Sequence, residues 1–341
     1  MLLKEQLSIF FESLVSQEKD FRFPSEDEAA SYLREAVSVL ENEKTFYRPV
    51  SSSGKSGGLL DFTASDAPVI LVPDLHARFN FLLKLLKFKP SFSKGKNVLE
   101  LLNEKQLYVI CAGDAWHSEG RCAERWRKSL EEYKNGNILC SGMKEEMREN
   151  FMTLFFIMEI KKHFAENFHF LKGNHENILN ENADGNYSFY KYALEGEMTR
   201  AFIESFYSEN VLMLLSRWEK NLPVCAAFPS FCITHAEPLT FYKKRDIISF
   251  RNNPELIKAF TWTRNGEAME NSVARLFHEL TGKDSSLALW FAGHRPVDGK
   301  FFYRQGKSLI QFHNPSQMNV AVVLPEKKFD PVTDIVSVDA G

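Results

Sequence analysis

The sequence predicts an α/β protein whose mixed sheets are stacked in layers. Three observations carry that reading. Short apolar runs rich in Val and Ile alternate with helix-patterned segments through the first two thirds of the chain. The last third reads as closely spaced strands. A chain of 341 residues with 44% hydrophobic and 26% charged residues has the balance of a globular protein and enough apolar material for a sizeable core.

The elements follow in order. Residues 1–47 read as helical, and "PSEDEAASYLREAVSVL" carries a capping box, Ser25 with Glu28, ahead of apolar residues at helical spacing. "SSSGKSGG", residues 51–58, reads as a flexible loop or linker. Its Gly-Lys-Ser lacks the earlier glycine of a phosphate loop, because position 49 is Pro. "APVILV" (67–72) is a buried-strand run, "FNFLLKLLKF" (79–88) a helix and "QLYVICA" (106–112) a second strand. Residues 143–166 form a long helix with Met143, Met147, Phe151, Leu154, Phe155 and Met158 on one face, a core stripe. "NFHFLK" (167–172) is a third strand, and helices occupy 187–220. "PVCAAF", "SFCITH", "LALWFAGH", "KFFYRQ", "SLIQFH" and "NVAVVL" complete the strands. The 30 Phe are read as core filling.

A net charge of -3 gives no general affinity for nucleic acid or an anionic membrane. No run reaches the roughly 18 apolar residues of a membrane span. The N-terminus, broken by Lys4, Glu5 and Glu12, has no signal-peptide pattern. Cys111, Cys122, Cys140, Cys225 and Cys232 are scattered and form no CxxC pair, which reads as reduced thiols in the cytoplasm.

Chemistry gathers where the strands stop. "VILV" ends in Pro73-Asp74-Leu75-His76, "LYVICA" in Gly113-Asp114 and "FHFLK" in Gly173-Asn174-His175-Glu176. "SFCIT" ends in His235 and "LALWFA" in Gly293-His294. Open α/β sheets bind ligands beyond the carboxyl ends of their strands, so these side chains are expected to share one crevice. Asp74, His76, Asp114, Asn174, His235 and His294 combine carboxylate, amide and imidazole donors without thiolate. That set suits Mn, Fe or Zn, and it exceeds what one open catalytic ion needs. Two divalent ions roughly 3.5–4 Å apart, bridged by one carboxylate, activate water and clamp phosphoryl oxygens.

"PDLHAR" (73–78), "GDAWHSEGR" (113–121), "GNHE" (173–176), "THAEP" (234–238) and "AGHRP" (292–296) follow one another in an order that resembles the calcineurin-like metallophosphoesterases. Within them it resembles the serine/threonine phosphoprotein phosphatase branch, with GDxHG, GDxxDRG, GNHE, HGG or HAG, and GH. The resemblance spans residues 67–325. It implies a four-layered α/β/β/α sandwich with two mixed sheets for residues 61–341, and leaves residues 1–60 as an added helical extension with its linker. It also implies roles. Asp74 and His76 would hold the first metal, Asp114 would bridge, and Asn174, His235 and His294 would hold the second. His175 would be the general acid, and Arg264, in "FTWTRNG", a phosphate ligand.

The departures lie around these ligands. Pro73 and Ala77 replace the glycines of GDxHG, with Arg78 following. In the GDxxDRG segment, direct register puts His117 and Ser118 where the family has Asp and Arg. A small insertion would let Glu119 orient His175 and Arg121 bind phosphate. Ala236 and Glu237 replace the glycines after His235, and Glu237 would disfavour an anionic substrate unless it points away. Arg295 flanks a metal motif and has a solvated or structural role as its plainer reading. His163, His169, His278 and His313 are read as hydrogen-bonded structural residues, and the charged segment 122–142 as a helix and loop over the crevice or a solvated surface helix.

The implied function is hydrolysis of a phosphate ester by a metal-bound hydroxide, with a phosphorylated substrate, no nucleic acid and no membrane. A serine/threonine protein phosphatase is the first expectation. A nucleotide or dinucleoside polyphosphate hydrolase is the second, and a catalytically weak metal- and phosphate-binding module the third.

Overall fold

The capping box expected at Ser25 is formed. Glu28 N–H donates to Ser25 Oγ at 3.4 Å, and Ser25 N–H donates to the Glu28 carboxylate at 2.7 Å. In this structure, a computed structural model describing residues 2–339, the box opens the second of two N-terminal helices, α1 (Lys4–Asp20) and α2 (Glu26–Glu41). Both lay apolar faces on the main core: Leu7, Phe10 and Leu14 from α1, Leu33, Val37 and Leu40 from α2.

Next come β1 (Leu59–Asp61), β2 (Val69–Val72), α3 (Phe79–Lys87), α4 (Val98–Asn103) and β3 (Tyr108–Cys111). The chain continues through α5 (Ala123–Lys134), α6 (Ser141–His163), β4 (Phe168–Phe170), α7 (Glu195–Phe206) and α8 (Glu209–Lys220). The remainder holds β5 (Cys225–Ala227), β6 (Cys232–Thr234), α9 (Lys244–Ile248), α10 (Pro254–Thr261), α11 (Ser272–Thr281), β7 (Trp290–Ala292), β8 (Phe302–Arg304) and β9 (Leu309–Gln311), then β10 (Asn319–Val323), α12 (Pro331–Asp334) and β11 (Ile335–Ser337).

Two mixed sheets result, a five-stranded one in the order β11-β10-β2-β3-β4 and a six-stranded one in the order β1-β5-β6-β7-β9-β8. Their central strands are buried on both faces, as strands covered on both sides must be, while the edge strand β8 is exposed. The two-residue period divides them cleanly. Leu71 and Ile110 of the first sheet meet Ala226, Ile233, Phe291 and Ile310 of the second in an inner core. Ile70, Val72, Val109 and Cys111 face the other way, onto α1–α8, with the Met143–Met147–Phe151–Leu154–Met158 stripe of α6 among their partners. Cys225, Cys232, Trp290 and Leu309 face α9–α11. This is the expected α/β/β/α order of layers, and the inner core is rich in Phe: Phe62, Phe228, Phe231, Phe291 and Phe312.

Four stretches differ from the sequence expectation. β1 and β11 are additional edge strands, too short to show periodicity, paired with β5 and β10. Residues 187–194 are not helical. Their backbone is drawn into bonds with the preceding loop and with Glu195, whose carboxylate accepts from Lys191 and Tyr192 N–H at 2.8 and 2.7 Å, while the Tyr187 carbonyl accepts from Asn177 Nδ2. Gly54-Lys55-Ser56 forms a tight turn, with Ser51 N–H donating to the Lys55 carbonyl.

The described residues include no helix long and apolar enough to cross a membrane.

Candidate dinuclear metal centre

The parallel strands β2, β3 and β4 end side by side, which brings the turns after them into contact. Those turns are stapled by one carboxylate. Glu176 accepts from Gly173 N–H at 2.6 Å and Asp114 N–H at 2.9 Å through Oε2, and from Ala115 N–H at 2.7 Å through Oε1. A buried, triply bonded carboxylate of this kind fixes the positions of both flanking ligands, which accounts for Glu after Asn174-His175. The glycines before the ligands answer to space. A methyl group on Gly173 would run into Asp114 Oδ1, and one on Gly293 into Asp74 Oδ1. The ligands themselves sit on bent backbone. His76, Asp114 and His294 have φ of 45°, 55° and 61°, the left-handed region that side chains of this type tolerate only when packing enforces it.

All six predicted ligand residues come together. Asp74, His76, Asp114, Asn174 and His235 are buried and His294 nearly so. Asp114 Oδ1 accepts from His175 N–H at 2.9 Å, leaving Oδ2 3.6 Å from His76 Nε2 and 3.4 Å from His235 Nε2. It therefore lies between the two halves of the set. His235 Nε2 and His294 Nδ1 each lie 2.9 Å from Asn174 Oδ1. His294 N–H donates to Asp74 Oδ2 at 2.8 Å, while the other oxygen, Oδ1, is buried with no partner.

The donor chemistry fits cations. His76 Nδ1 lies 3.3 and 3.1 Å from the Trp116 and His117 carbonyls, so the ring carries its proton there. The bare Nε2 then faces carboxylate oxygens of Asp74, Asp114 and Glu119 at 3.9, 3.6 and 3.4 Å. His235 repeats the pattern. Its Nδ1 donates to the Ala112 carbonyl at 3.1 Å, and its bare Nε2 faces Asn174 Oδ1. Burial keeps these rings neutral, His76 with its pKa lowered to about 4 and His235 well below the usual range. Lone pairs thus point at lone pairs, an arrangement that repels unless a cation lies between them. The carboxyls agree. Burial lifts Asp74 to about 6 and Asp114 well above its usual value, the latter aided by the charges of Glu176 and Asp74. Nearby positive charge is what each would need to ionise in place.

His175 is held at the same rim. Its Nδ1 is 2.7 Å from His117 Nδ1, and His117 Nε2 is 3.1 Å from Thr199 Oγ1. Its ring lies against Phe189, centroids 3.8 Å apart, and its Nε2 is 3.8 Å from Asp114 Oδ2.

The segment after Asp114 differs from the sequence expectation. No insertion shifts the register, so His117, not Glu119, meets His175. Glu119 turns instead between His76 and His313. Arg121 does not face the cleft. Glu149 holds its Nη1 at 2.7 Å, and Nη2 donates to the His76 and Ala77 carbonyls at 3.3 and 3.4 Å, because the short 3₁₀ turn at Glu119–Cys122 carries it outward. α5, in the segment 122–142, packs on α6 and α7 and adds no residue to the cleft wall. Glu237 points away and is matched by Arg304 at 3.1 Å and Gln305 at 2.7 Å. Arg78 is structural. It donates to the carbonyls of Leu75 and Asp74 and to those of residues 314, 315 and 317.

The cleft above the ligands encloses about 660 Å³. Arg264, Arg295, Lys191 and Lys258 line it, with Tyr187, Phe189, Tyr190 and Trp262 as aromatic walls. Arg295 is half-buried, and burial together with the charge of Arg264 lowers its pKa. The rim is thus cationic around an acidic floor. Sequence reasoning missed His117, Arg295 and the 187–191 loop. Register pointed at His117 only by position, and the loop carried no motif.

Against known proteins, the sequence matches the calcineurin-like phosphoesterase family over residues 67–323. No curated protein matches it. Among solved structures, a protein serine/threonine phosphatase from Saccharomyces cerevisiae has the same fold at 14% identity, with a TM-score of 0.58 and coverage of 98% of this chain and 95% of that one. A cold-active protein-tyrosine phosphatase of a psychrophilic Shewanella species aligns at 15% identity over 76% of this chain and 75% of its own, with a TM-score of 0.45. The family match covers most of the sequence and coincides with the strands that carry the ligands, and the chain belongs to the calcineurin-like phosphoesterases.

Proposed function

We propose that the protein is a phosphomonoesterase of the serine/threonine protein phosphatase type, working with two divalent ions, Mn, Fe or Zn. One observation carries the reading: bare imidazole nitrogens of His76 and His235 face oxygens of Asp74, Asp114 and Asn174 around a single point, Asp114 Oδ2. Asp74, His76 and Asp114 would hold the first ion, and Asp114, Asn174, His235 and His294 the second. When bound, such a pair lowers the pKa of water and neutralises phosphoryl oxygens.

The chain's own groups divide the remaining work. Arg264 and Arg295 present guanidinium forks to the phosphate oxygens. His175 serves as proton donor to the leaving oxygen. The tautomers that satisfy its neighbours run from Thr199 O–H to His117 Nε2, and from His117 Nδ1–H to His175 Nδ1. That leaves the proton on His175 Nε2, toward the cleft. His117 is then a positioning residue. His117→Ala is expected to lower kcat by about 10–100-fold with KM and metal content unchanged, and His117→Asp to recover much of the loss. Wild-type kcat in His117→Ala would remove His117 from the reaction.

The direct test is hydrolysis of an aryl phosphate by metal-stripped protein reloaded with Mn²⁺. Turnover is expected with Mn²⁺ and absent in Asn174→Ala, while Arg264→Ala raises KM by about 10–100-fold. Stoichiometric metal without turnover on any phosphoester would replace this reading with that of a binding module. Phosphoserine peptides are the favoured substrates. The cationic and aromatic rim of Lys191, Lys258, Tyr190 and Trp262 also suits a nucleotide or dinucleoside polyphosphate, and a substrate panel with both classes decides between them.

A further inference from the structure

We propose that His313 is a ligand of the first ion, with the Glu119 carboxylate facing the same ion. The inference rests on the dinuclear reading and adds to it residues that lie outside the motifs. His313 follows β9 by two positions and comes from the six-stranded sheet. Its ring is fully buried, and neither nitrogen has a hydrogen-bond partner. A buried imidazole that makes no hydrogen bond is rare, because such groups are costly to desolvate. The ring is not idle toward the centre. Ligand atoms of Asp74, His76 and His313 lie within 4.8 Å of one another, and the His76 and His313 rings are 5.4 Å apart.

Glu119 spans the pair. Its Oε1 is 3.4 Å from the bare His76 Nε2, and its Oε2 is 3.3 Å from His313 Nε2. It does so from a left-handed backbone, φ 53°, a conformation that a glutamate adopts only when its surroundings hold it there.

The surrounding bonds fix the arrangement. Val297 N–H donates to the His313 carbonyl at 2.9 Å. Arg78 ties the chain just beyond His313 to the first motif, with Nη1 on the Gln317 carbonyl at 3.0 Å and Nη2 on the Asp74 carbonyl at 2.7 Å. The register of β9 beside β7 then sets His313 over Asp74 while His294 sits over Asn174. Each ion would receive two imidazoles and share Asp114: His76 and His313 on one side, His235 and His294 on the other. That donor set favours Zn, Fe or Mn over Mg or Ca.

The test uses the full chain, stripped and reloaded with Zn²⁺, and reads metal rather than activity. Wild type is expected to retain two equivalents, and His313→Ala and His313→Asn to bind one of them at least about 100-fold more weakly in a chelator competition. His235→Ala should lose the other. Two equivalents at wild-type affinity in both His313 variants would overturn the proposal and leave the dinuclear reading intact. Failure of wild type to bind Zn²⁺ would overturn both. Because a fully buried ring can be needed for folding, Zn²⁺-loaded wild-type crystals give a second readout. Anomalous density about 2.0–2.1 Å from a His313 nitrogen is expected, and a separation beyond about 3 Å refutes the assignment.

Discussion

Asp114→Asn is expected to abolish metal-dependent phosphoester hydrolysis, by at least about 10³-fold, while leaving the metal-free protein as stable as wild type or more so. The two halves of that expectation share a cause. The amide keeps the size of the carboxylate and can still accept from His175 N–H, as Oδ1 does. It removes the negative charge that lies between His76 and His235. In the metal-free protein that charge is a burden, since burial and the neighbouring Glu176 and Asp74 push the Asp114 carboxyl well above its usual pKa. Metal content by mass spectrometry and a urea melt of the stripped protein measure the two effects separately. A variant that loses activity and also unfolds readily would mean that Asp114 is structural, and full activity would remove the bridge.

Glu43→Ala is expected to cost about 3–5 kcal/mol of folding stability, because it strands buried cations. Glu43 lies just after α2, its side chain 1% exposed. It pairs with Arg48, with Lys161 at 2.5 Å and with His169 at 3.3 Å. Arg48 in turn donates to the carbonyls of Gly57, at 2.8 Å, and Asn221. One carboxylate thus secures the end of the N-terminal helices to α6, β4 and the turn after α8.

The pH dependence has a defined sign. Burial opposes ionisation of Glu43, but Lys161 and Arg48 outweigh it and hold its pKa well below 4.5. Its contribution is present above about pH 4.5 and is lost as pH falls. Burial, with the charge of Lys161, lowers His169 from 6.5 to about 4, so stability also declines as pH drops through that window. Urea midpoints from pH 7 to pH 4 should therefore fall in wild type. The slope below pH 4.5 should be shallower in Glu43→Ala than in wild type, other carboxylates such as Asp61 and Glu149 keeping the remainder, and an unchanged slope there would exclude the pairing.

Much of this was legible in the sequence because it is local or periodic. The Val/Ile runs, the Met–Phe stripe of α6 and the Ser25 cap each act through neighbours a few residues away. The six candidate ligand residues were legible for a different reason: they stand just past strand ends, three of them directly after a glycine. What stayed hidden depends on residues far apart. His313 has no flanking motif and meets His76 only through the register of β9. The 187–191 loop carries helix-compatible residues, and bonds from Asn177 and Glu195 decide its shape. Glu119 was expected against His175 and lies instead between His76 and His313. A single left-handed residue is enough to redirect a side chain, and sequence gives no sign of one outside glycine.

The two sheets contribute to the centre from opposite sides. Asp74, His76, Asp114 and Asn174 follow strands of the five-stranded sheet; His235, His294 and His313 follow strands of the six-stranded one. Apolar side chains fill the inner core between the sheets, and such contact is forgiving of small slips. Ion coordination is not. On the reading proposed here, each ion would act as a rivet through both plates of the sandwich, so that sliding one plate by an ångström would break ligand bonds on both. Occupancy and the alignment of the halves become one equilibrium. Chelation would loosen the seam between the sheets before it unfolded either, and any partner that pried the halves apart would eject the ions.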